Sequence, residues 1–218
     1  MSSSLKADMP AGIKLLAGIA HDLRTPLARL RLRAELDCPE EVSRAMEEDF
    51  QTVTHLIDQI LGYAQGCIAP SSQGFGSLHE LVRRGVSSYR QVQSDVGLGP
   101  LEARDVVVPC LPLQRVLANL VDNALAHGAA PVWVEVQADA AGVALLVFDH
   151  GPGLSHEQLL KATQPFVQLG MQASPTQTLR RCGLGLAIVA QIAQQLGGSV
   201  VLKPFNGTRS GIGVHIPG

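Results

Sequence analysis

Apolar residues recur at Leu16, Ile19, Leu23, Leu27, Leu30 and Ala34, the three-and-four spacing of a helix with one buried stripe. The pattern predicts a first helix over Ala11–Leu36. In the turn Asp37-Cys38-Pro39-Glu40, a proline stands near the first turn of the next helix and acids stand beside its positive end. A second stripe of Val42, Ala45, Met46, Phe50, Val53, Ile57 and Ile60 carries that helix to about Tyr63. Two such helices form an antiparallel hairpin with one apolar face and too little core to stand alone. The expected solution is a dimeric four-helix bundle of two hairpins; the alternative is packing on the rest of the same chain.

Gly66–Gly76, rich in Gly, Ser and Pro, reads as a linker. Beyond it the periodicity is mixed, with helices expected at Leu78–Val92, Leu113–His127, His156–Ala162 and Leu184–Leu196. Strands are expected at Asp105–Val108, Val132–Ala138, Val143–Phe148, Ser199–Pro204 and Gly211–Ile216. Irregular alternation with hairpin-like strand neighbours predicts an α/β sandwich with helices on one face of a mixed sheet. The domain reading is 1–66 helical, 67–77 linker and 78–218 α/β. Gly170–Thr178 reads as a loop within it.

The 218 residues have room for one large or two small domains, and a net charge of −2 argues against a polybasic nucleic-acid binder. Four scattered cysteines without a C-x-x-C pair suit a reducing compartment better than a disulfide framework or a zinc site. No apolar run approaches membrane-spanning length and the N-terminus has no signal-peptide pattern. Cytoplasmic location is the expectation.

Candidate chemistry begins at His21, within Ala20-His21-Asp22-Leu23-Arg24-Thr25-Pro26-Leu27. His21 flanks the apolar stripe without belonging to it. A neutral imidazole offers one nitrogen as nucleophile while the other donates a hydrogen bond, and Asp22 is placed to accept it. Thr25 lies one turn on, on the same face. Pro26 removes an N–H and is expected to bend or loosen the helix.

Four further pieces point to a nucleotide. Asn119 and Asn123, four apart on one helix, are either polar surface or a pair of amides for magnesium and its waters. Asp149-His150-Gly151-Pro152-Gly153 puts a carboxylate at a strand end, able to accept an adenine amine, with glycines that allow close backbone approach. Gly183-Leu184-Gly185 precedes a helix whose N-terminus favours phosphate. Pro165-Phe166 stands between the second and third pieces, where an aromatic either anchors a lid or is ordinary core.

Ala20–Leu27 resembles the phospho-acceptor H-box of bacterial sensor histidine kinases, the class typified by the osmosensor EnvZ. The four pieces, in this order, resemble the N, G1, F and G2 boxes of the histidine-kinase ATP-binding domain (the Bergerat or GHKL fold shared with Hsp90, gyrase B and MutL). The resemblance covers nearly the whole chain. It implies autophosphorylation of His21 with Asp22 as base, and a role for Thr25 in positioning water during dephosphorylation of a partner. It implies ATP and Mg2+ as cofactors: magnesium on Asn123 supported by Asn119, adenine on Asp149 with His127 against it. Backbone contacts come from Gly151, Gly153, Gly183 and Gly185, and Phe166 anchors a lid. The implied partners are a second copy of the chain and the receiver domain of a response regulator, with no direct nucleic-acid contact.

Two departures stand out. The N-box basic residue is replaced by Ala126, with Arg180 and Arg181 as candidate substitutes for its charge, and Cys182 precedes the G2 glycine. They motivate an alternative, a catalytically weak or phosphatase-biased ATP-binding module. An ATP-driven machine of the Hsp90 or MutL kind has no use for the His21 cluster. Members of the family are usually membrane sensors. The chain is therefore expected to be the cytoplasmic part of an inner-membrane sensor, a truncated product, or a soluble relative.

Overall fold

A computed structural model of the chain describes residues 11–66, 74–92, 95–102, 105–169, 183–205 and 209–218. Two compact units emerge, one comprising Met1–Ile68 with Phe166–Leu184 and the other Ala69–Pro165 with Gly185–Gly218.

In the first unit, α1 (Ala11–Asp37) and α2 (Glu40–Gly66) pack as a hairpin. α1 runs as α-helix through Pro26. Among the described residues, the buried hydrophobic side chains of the hairpin are Ala20 and Ala34 on α1 and Phe50, Ile57 and Ala64 on α2, spaced by seven or fourteen, with Gly62 buried near the last. This is a single heptad seam. The expected stripe is therefore only partly buried: Ile19, Leu23 and Leu30 remain 48%, 47% and 53% exposed, and Val53 is 40% exposed. One neighbouring helix covers one seam, narrower than the stripe the sequence carries. Across the hairpin Arg31 pairs with Glu47, and Arg24 with Asp58.

The second unit is a two-layer α/β sandwich. Its elements are β1 (Phe75–Ser77), α3 (Leu78–Val92), β2 (Val96–Leu101), β3 (Val107–Pro109), α4 (Cys110–His127), β4 (Val132–Asp139), β5 (Gly142–Asp149), α5 (His156–Ala162), α6 (Gly185–Gln195), β6 (Ser199–Phe205) and β7 (Arg209–Pro217). The main sheet has the order β2-β4-β5-β7-β6, parallel between β2 and β4 and antiparallel elsewhere; β1 and β3 form a separate antiparallel ribbon. Val132, Val134, Val136, Leu145, Val147 and Val214 are sealed from solvent on the side where α3, α4 and α6 pack.

The opposite sheet face has no helix layer among the described residues, and it closes itself. Trp133 lies over its cross-strand partner Gly97, Phe148 over Gly211, and Leu146 over Gly213, while Glu135 covers Gly99. A Cβ on Gly97 would meet Trp133 at 2.4 Å, and one on Gly211 would meet Phe148 at 2.4 Å. Large side chains on the inner strands thus lie flat across glycines of their neighbours. This accounts for β2, absent from the sequence reading: Val96-Gly97-Leu98-Gly99-Pro100-Leu101 has poor strand propensity, but its glycines are where the rings lie.

Most element ends shift by one to three residues, and three differences have a clear physical reason. Phe75–Ser77, at the end of the expected linker, pairs with β3. α4 begins at Cys110, before Leu113, because Pro112 falls in the first turn, where its missing N–H has no intrahelical partner to lose. β3 begins at Val107 because Asp105 is drawn away to cap α3. There the N–H groups of Leu78, His79 and Glu80 donate to Val106 C=O (3.0 Å), Asp105 Oδ1 (3.1 Å) and Ser77 Oγ (2.9 Å). Ser77 in turn donates to Asp105 Oδ2 at 2.5 Å. α3 is tied to α4 by Tyr89, whose hydroxyl donates to Asp122 at 2.8 Å. Burial, reinforced by that carboxylate, holds the Tyr89 phenol well above its ordinary pKa.

The hydrogen bond from Ser77, joined by the N–H of His79 and opposed by slight desolvation, keeps Asp105 below its ordinary pKa. A depressed folded-state value stabilises the fold above the unfolded pKa and is lost as pH falls through the folded one. Ser77→Ala is expected to move the Asp105 titration upward in NMR and to cost about 1 kcal/mol in urea unfolding. On the open face, Gly211→Val is expected to destabilise by about 1–3 kcal/mol, with part of the loss recovered by Phe148→Leu in a double-mutant cycle.

Candidate functional site

β5 is buried along its whole length and delivers Asp149 at its end. The carboxylate is 7% exposed; Oδ1 accepts the N–H of Gly151 at 2.6 Å, and among the described residues no cation pairs with it. A buried carboxylate asks for more than one hydrogen bond, so acceptor capacity is left for a ligand. Space beside it is kept by glycine. A Cβ on Gly128 would stand 2.3 Å from Asp149 Cγ, and one on Gly151 would stand 2.6 Å from Gly128 Cα and 2.7 Å from Asp149 Oδ1. Gly128, the C-cap of α4, was missed in the sequence. A glycine after a helix marks its end, but nothing local signals that a carboxylate from β5 fills the place of its side chain.

Gly153 adopts φ +68 and lies against Ser210 of β7, a second residue that sequence reasoning did not single out. His150 Nδ1 lies 3.2 Å from the carbonyl of Pro131.

On α4, Asn119 Nδ2 donates to the carbonyl of Arg115 at 2.8 Å. That bond fixes the amide so that Oδ1 faces Gly185, the first residue of α6, where a Cβ would meet it at 3.2 Å. An amide oxygen is thus set beside a helix N-terminus, the arrangement that favours phosphates and oxygen-seeking cations. Asn123 and His127 follow Asn119 along α4, half-buried and exposed respectively. No cluster of three His, Cys, Asp or Glu side chains able to hold a metal occurs among the described residues. Gly128 and Gly151 pack directly on Asp149, Gly185 packs on Asn119, and both groups belong to one unit, joined along α4.

In the other unit, Phe166 is 53% exposed and takes φ 65, unusual for a bulky residue. Its N–H donates to Gly183 C=O at 3.0 Å, while Gly183, at φ +67, approaches Val167 too closely for a Cβ. Arg180, Arg181, Cys182 and the Gly170–Thr178 loop lie outside the described residues.

His21 and Asp22 stand on α1 with side chains 78% and 85% exposed, and Nδ1 lies 3.3 Å from Asp22 Oδ1. A carboxylate can only accept, so the imidazole proton belongs on Nδ1 and Nε2 keeps its lone pair. Thr25 is exposed one turn on. Arg24, between them, reaches α2, where Nη2 donates to Asp58 at 2.5 Å.

The chain thus combines a two-layer α/β sandwich with a separate helical unit that carries an exposed, carboxylate-paired histidine. Residues 110–217 match the family described as Histidine kinase-, DNA gyrase B-, and HSP90-like ATPase, and residues 13–66 match the His Kinase A (phospho-acceptor) domain. The chain belongs to the histidine kinase family.

It is 32% identical over 211 residues to Sensor protein RstB of Escherichia coli K12, spanning 92% of this chain and 47% of RstB. It is 29% identical over 219 residues to Sensor protein CseC of Streptomyces coelicolor, spanning 100% of this chain and 41% of CseC. The chain therefore spans less than half the length of these relatives. Among solved structures, full-length ShkA in complex with AMPPNP shares the fold at a TM-score of 0.72 and 22% identity, over 94% of this chain and 45% of ShkA. The histidine kinase AdeS of Acinetobacter baumannii does so at 0.62 and 21%, over 90% and 97%. No described helix is long and apolar enough to cross a membrane.

In Asp149→Asn the side-chain oxygen must keep the Gly151 N–H, which turns the amide NH2 toward the free side. Binding of ATP, measured calorimetrically, is expected to weaken by about tenfold or more, with a relative gain for a 6-oxopurine triphosphate, which presents an acceptor there.

Proposed function

We propose that the chain is the ATP-dependent kinase core of a two-component sensor, which phosphorylates its own His21 and passes the phosphoryl group to an aspartate of a response regulator's receiver domain. The observation that carries this reading is the exposed His21 with Nδ1–H committed to Asp22, leaving Nε2 as the nucleophile. In the transfer, the Nε2 lone pair forms the N–P bond as the bond from the γ-phosphorus to the bridging oxygen of ADP breaks. The electron pair leaves with ADP, and Asp22 balances the positive charge on the ring and accepts its Nδ1 proton. Little covalent work falls to the protein beyond placing these atoms.

Residues 1–66 serve as the dimerisation and phosphotransfer domain, the segment from 67 up to β1 as the linker, and the chain from β1 to 218 as the nucleotide-binding domain. The half-exposed Ile19, Leu23, Leu30 and Val53 support a homodimer, since a second hairpin would cover them. Asp149 receives the adenine amine, and Gly151, Gly153, Gly183 and Gly185 let backbone approach the nucleotide. Phe166 anchors a cover, and Arg180 and Arg181 supply charge that Ala126 does not. Magnesium suits amide oxygens and water better than nitrogen or sulfur ligands, and the fixed Oδ1 of Asn119 fits it. Asn119 and Asn123 would hold the ion, whose chemistry is to offset charge on the phosphates. Thr25, one turn from His21, supports a phosphatase reaction on the regulator. ATP and regulators place this work on the cytoplasmic side of the membrane.

Ala126, in the place of the usual N-box cation, favours one second reading, a weak or phosphatase-biased kinase. Incubation with γ-labelled ATP and Mg2+, with His21→Ala alongside, separates the two. The expected label is acid-labile, alkali-stable and absent from the variant. Nucleotide binding without label would favour the second reading, and absence of nucleotide binding would overturn both.

A further inference from the structure

Arg24 is the one cation within a helical turn of His21 along α1, three residues on and therefore its neighbour on the helix surface. Its guanidinium is engaged elsewhere: Nη2 donates to Asp58 on α2, with the two side chains 54% and 53% exposed. A single exposed ion pair contributes about 0–1 kcal/mol, so this one is easily exchanged and adds little to the hairpin's stability. The ion pairs of His21 and Arg24 set two carboxylates, Asp22 and Asp58, against one guanidinium. A phosphoryl group adds about two more negative charges and three strong acceptors. Planar guanidinium donors match phosphate oxygens better than a lone carboxylate does.

On the reading of His21 as phospho-acceptor, we infer that Arg24 is the electrostatic partner of the phosphoryl group on His21, and that Asp58 is the competing counter-ion that holds it in reserve. Arg24 makes and breaks no covalent bond. It changes partners from Asp58 to the phosphoryl oxygens when the histidine is loaded, and it returns when the group leaves. Asp58 acts only through Arg24 and is a positioning residue: it sets how readily the phosphorylated state is held.

The full chain is phosphorylated in two ways, with γ-labelled ATP and Mg2+ and chemically with phosphoramidate, in wild type, Arg24→Ala, Arg24→Lys, Asp58→Asn and the Arg24→Ala/Asp58→Asn double variant. Readouts are the rate of label formation, the lifetime of the phosphohistidine, and its 31P titration. Arg24→Ala is expected to slow labelling by about tenfold or more and to raise the pH at which the phosphoryl group titrates, with Arg24→Lys intermediate. Asp58→Asn is expected to shift the titration the other way, and to do nothing when Arg24 is already Ala. Melting temperatures are expected to agree within about 3 °C.

A 31P titration indifferent to Arg24→Ala, or an Asp58→Asn effect that persists in the double variant, would overturn the inference. Wild type that accepts phosphoryl from phosphoramidate but not from ATP would instead overturn the kinase reading and leave the titration to decide on Arg24. Wild type that accepts it from neither would overturn both.

Discussion

A carboxylate taken out of water must find hydrogen bonds or a cation in exchange, and Asp149 finds one backbone N–H among the described residues. Much of the α/β unit follows from that shortfall. β5 must be buried from end to end to carry the group inward, so the strand lies at the centre of its sheet. α4 must end on a residue without a side chain, because a Cβ on Gly128 would stand 2.3 Å from the carboxylate carbon. The turn after β5 needs Gly151 to bring an N–H within 2.6 Å. A site incomplete without its ligand is poor for stability and suited to binding. The rest of the sandwich, with its unbroken valine and leucine layer, offsets the cost.

The sheet's far side meets a different constraint. A two-layer sandwich has one face without helices, and here large side chains lie sideways over glycines in register with them. The face is closed with side chains already present in the strands, and the shape of the layer depends on pairs such as Phe148 with Gly211. Volume is conserved across each pair, so substitution on either side is felt by the other.

Legibility in the sequence followed how local the physics was. α3 and α5 came out at their observed bounds, because Ser77 and Ser155 stand just ahead of them as local caps and the periodicity lies within a few residues. The central strands were plain from their apolar runs. β2 was invisible because its glycines make sense only opposite Trp133 and Glu135, more than thirty residues away. Asp105 read as strand because its task, capping a helix that starts at Leu78, also depends on a segment far away in the sequence. At the site, Asp149, Gly151, Asn119 and Gly185 were legible as chemistry. Gly128, Ser210 and the Arg24–Asp58 pair were not, since each acquires its meaning from a partner that only the fold supplies.

The narrow seam of the hairpin has a thermodynamic consequence. Among the described residues one heptad row is closed between α1 and α2. Much of what could stabilise the helices therefore lies in whatever covers the rest of the stripe, and in the proposed homodimer that is a second chain. It enters as a mass-action term that grows with the logarithm of the concentration of whatever covers the remaining row. The melting point of these helices is thus no fixed property of the chain. It belongs to the chain together with its dilution, and comparisons between variants acquire meaning only along a concentration series.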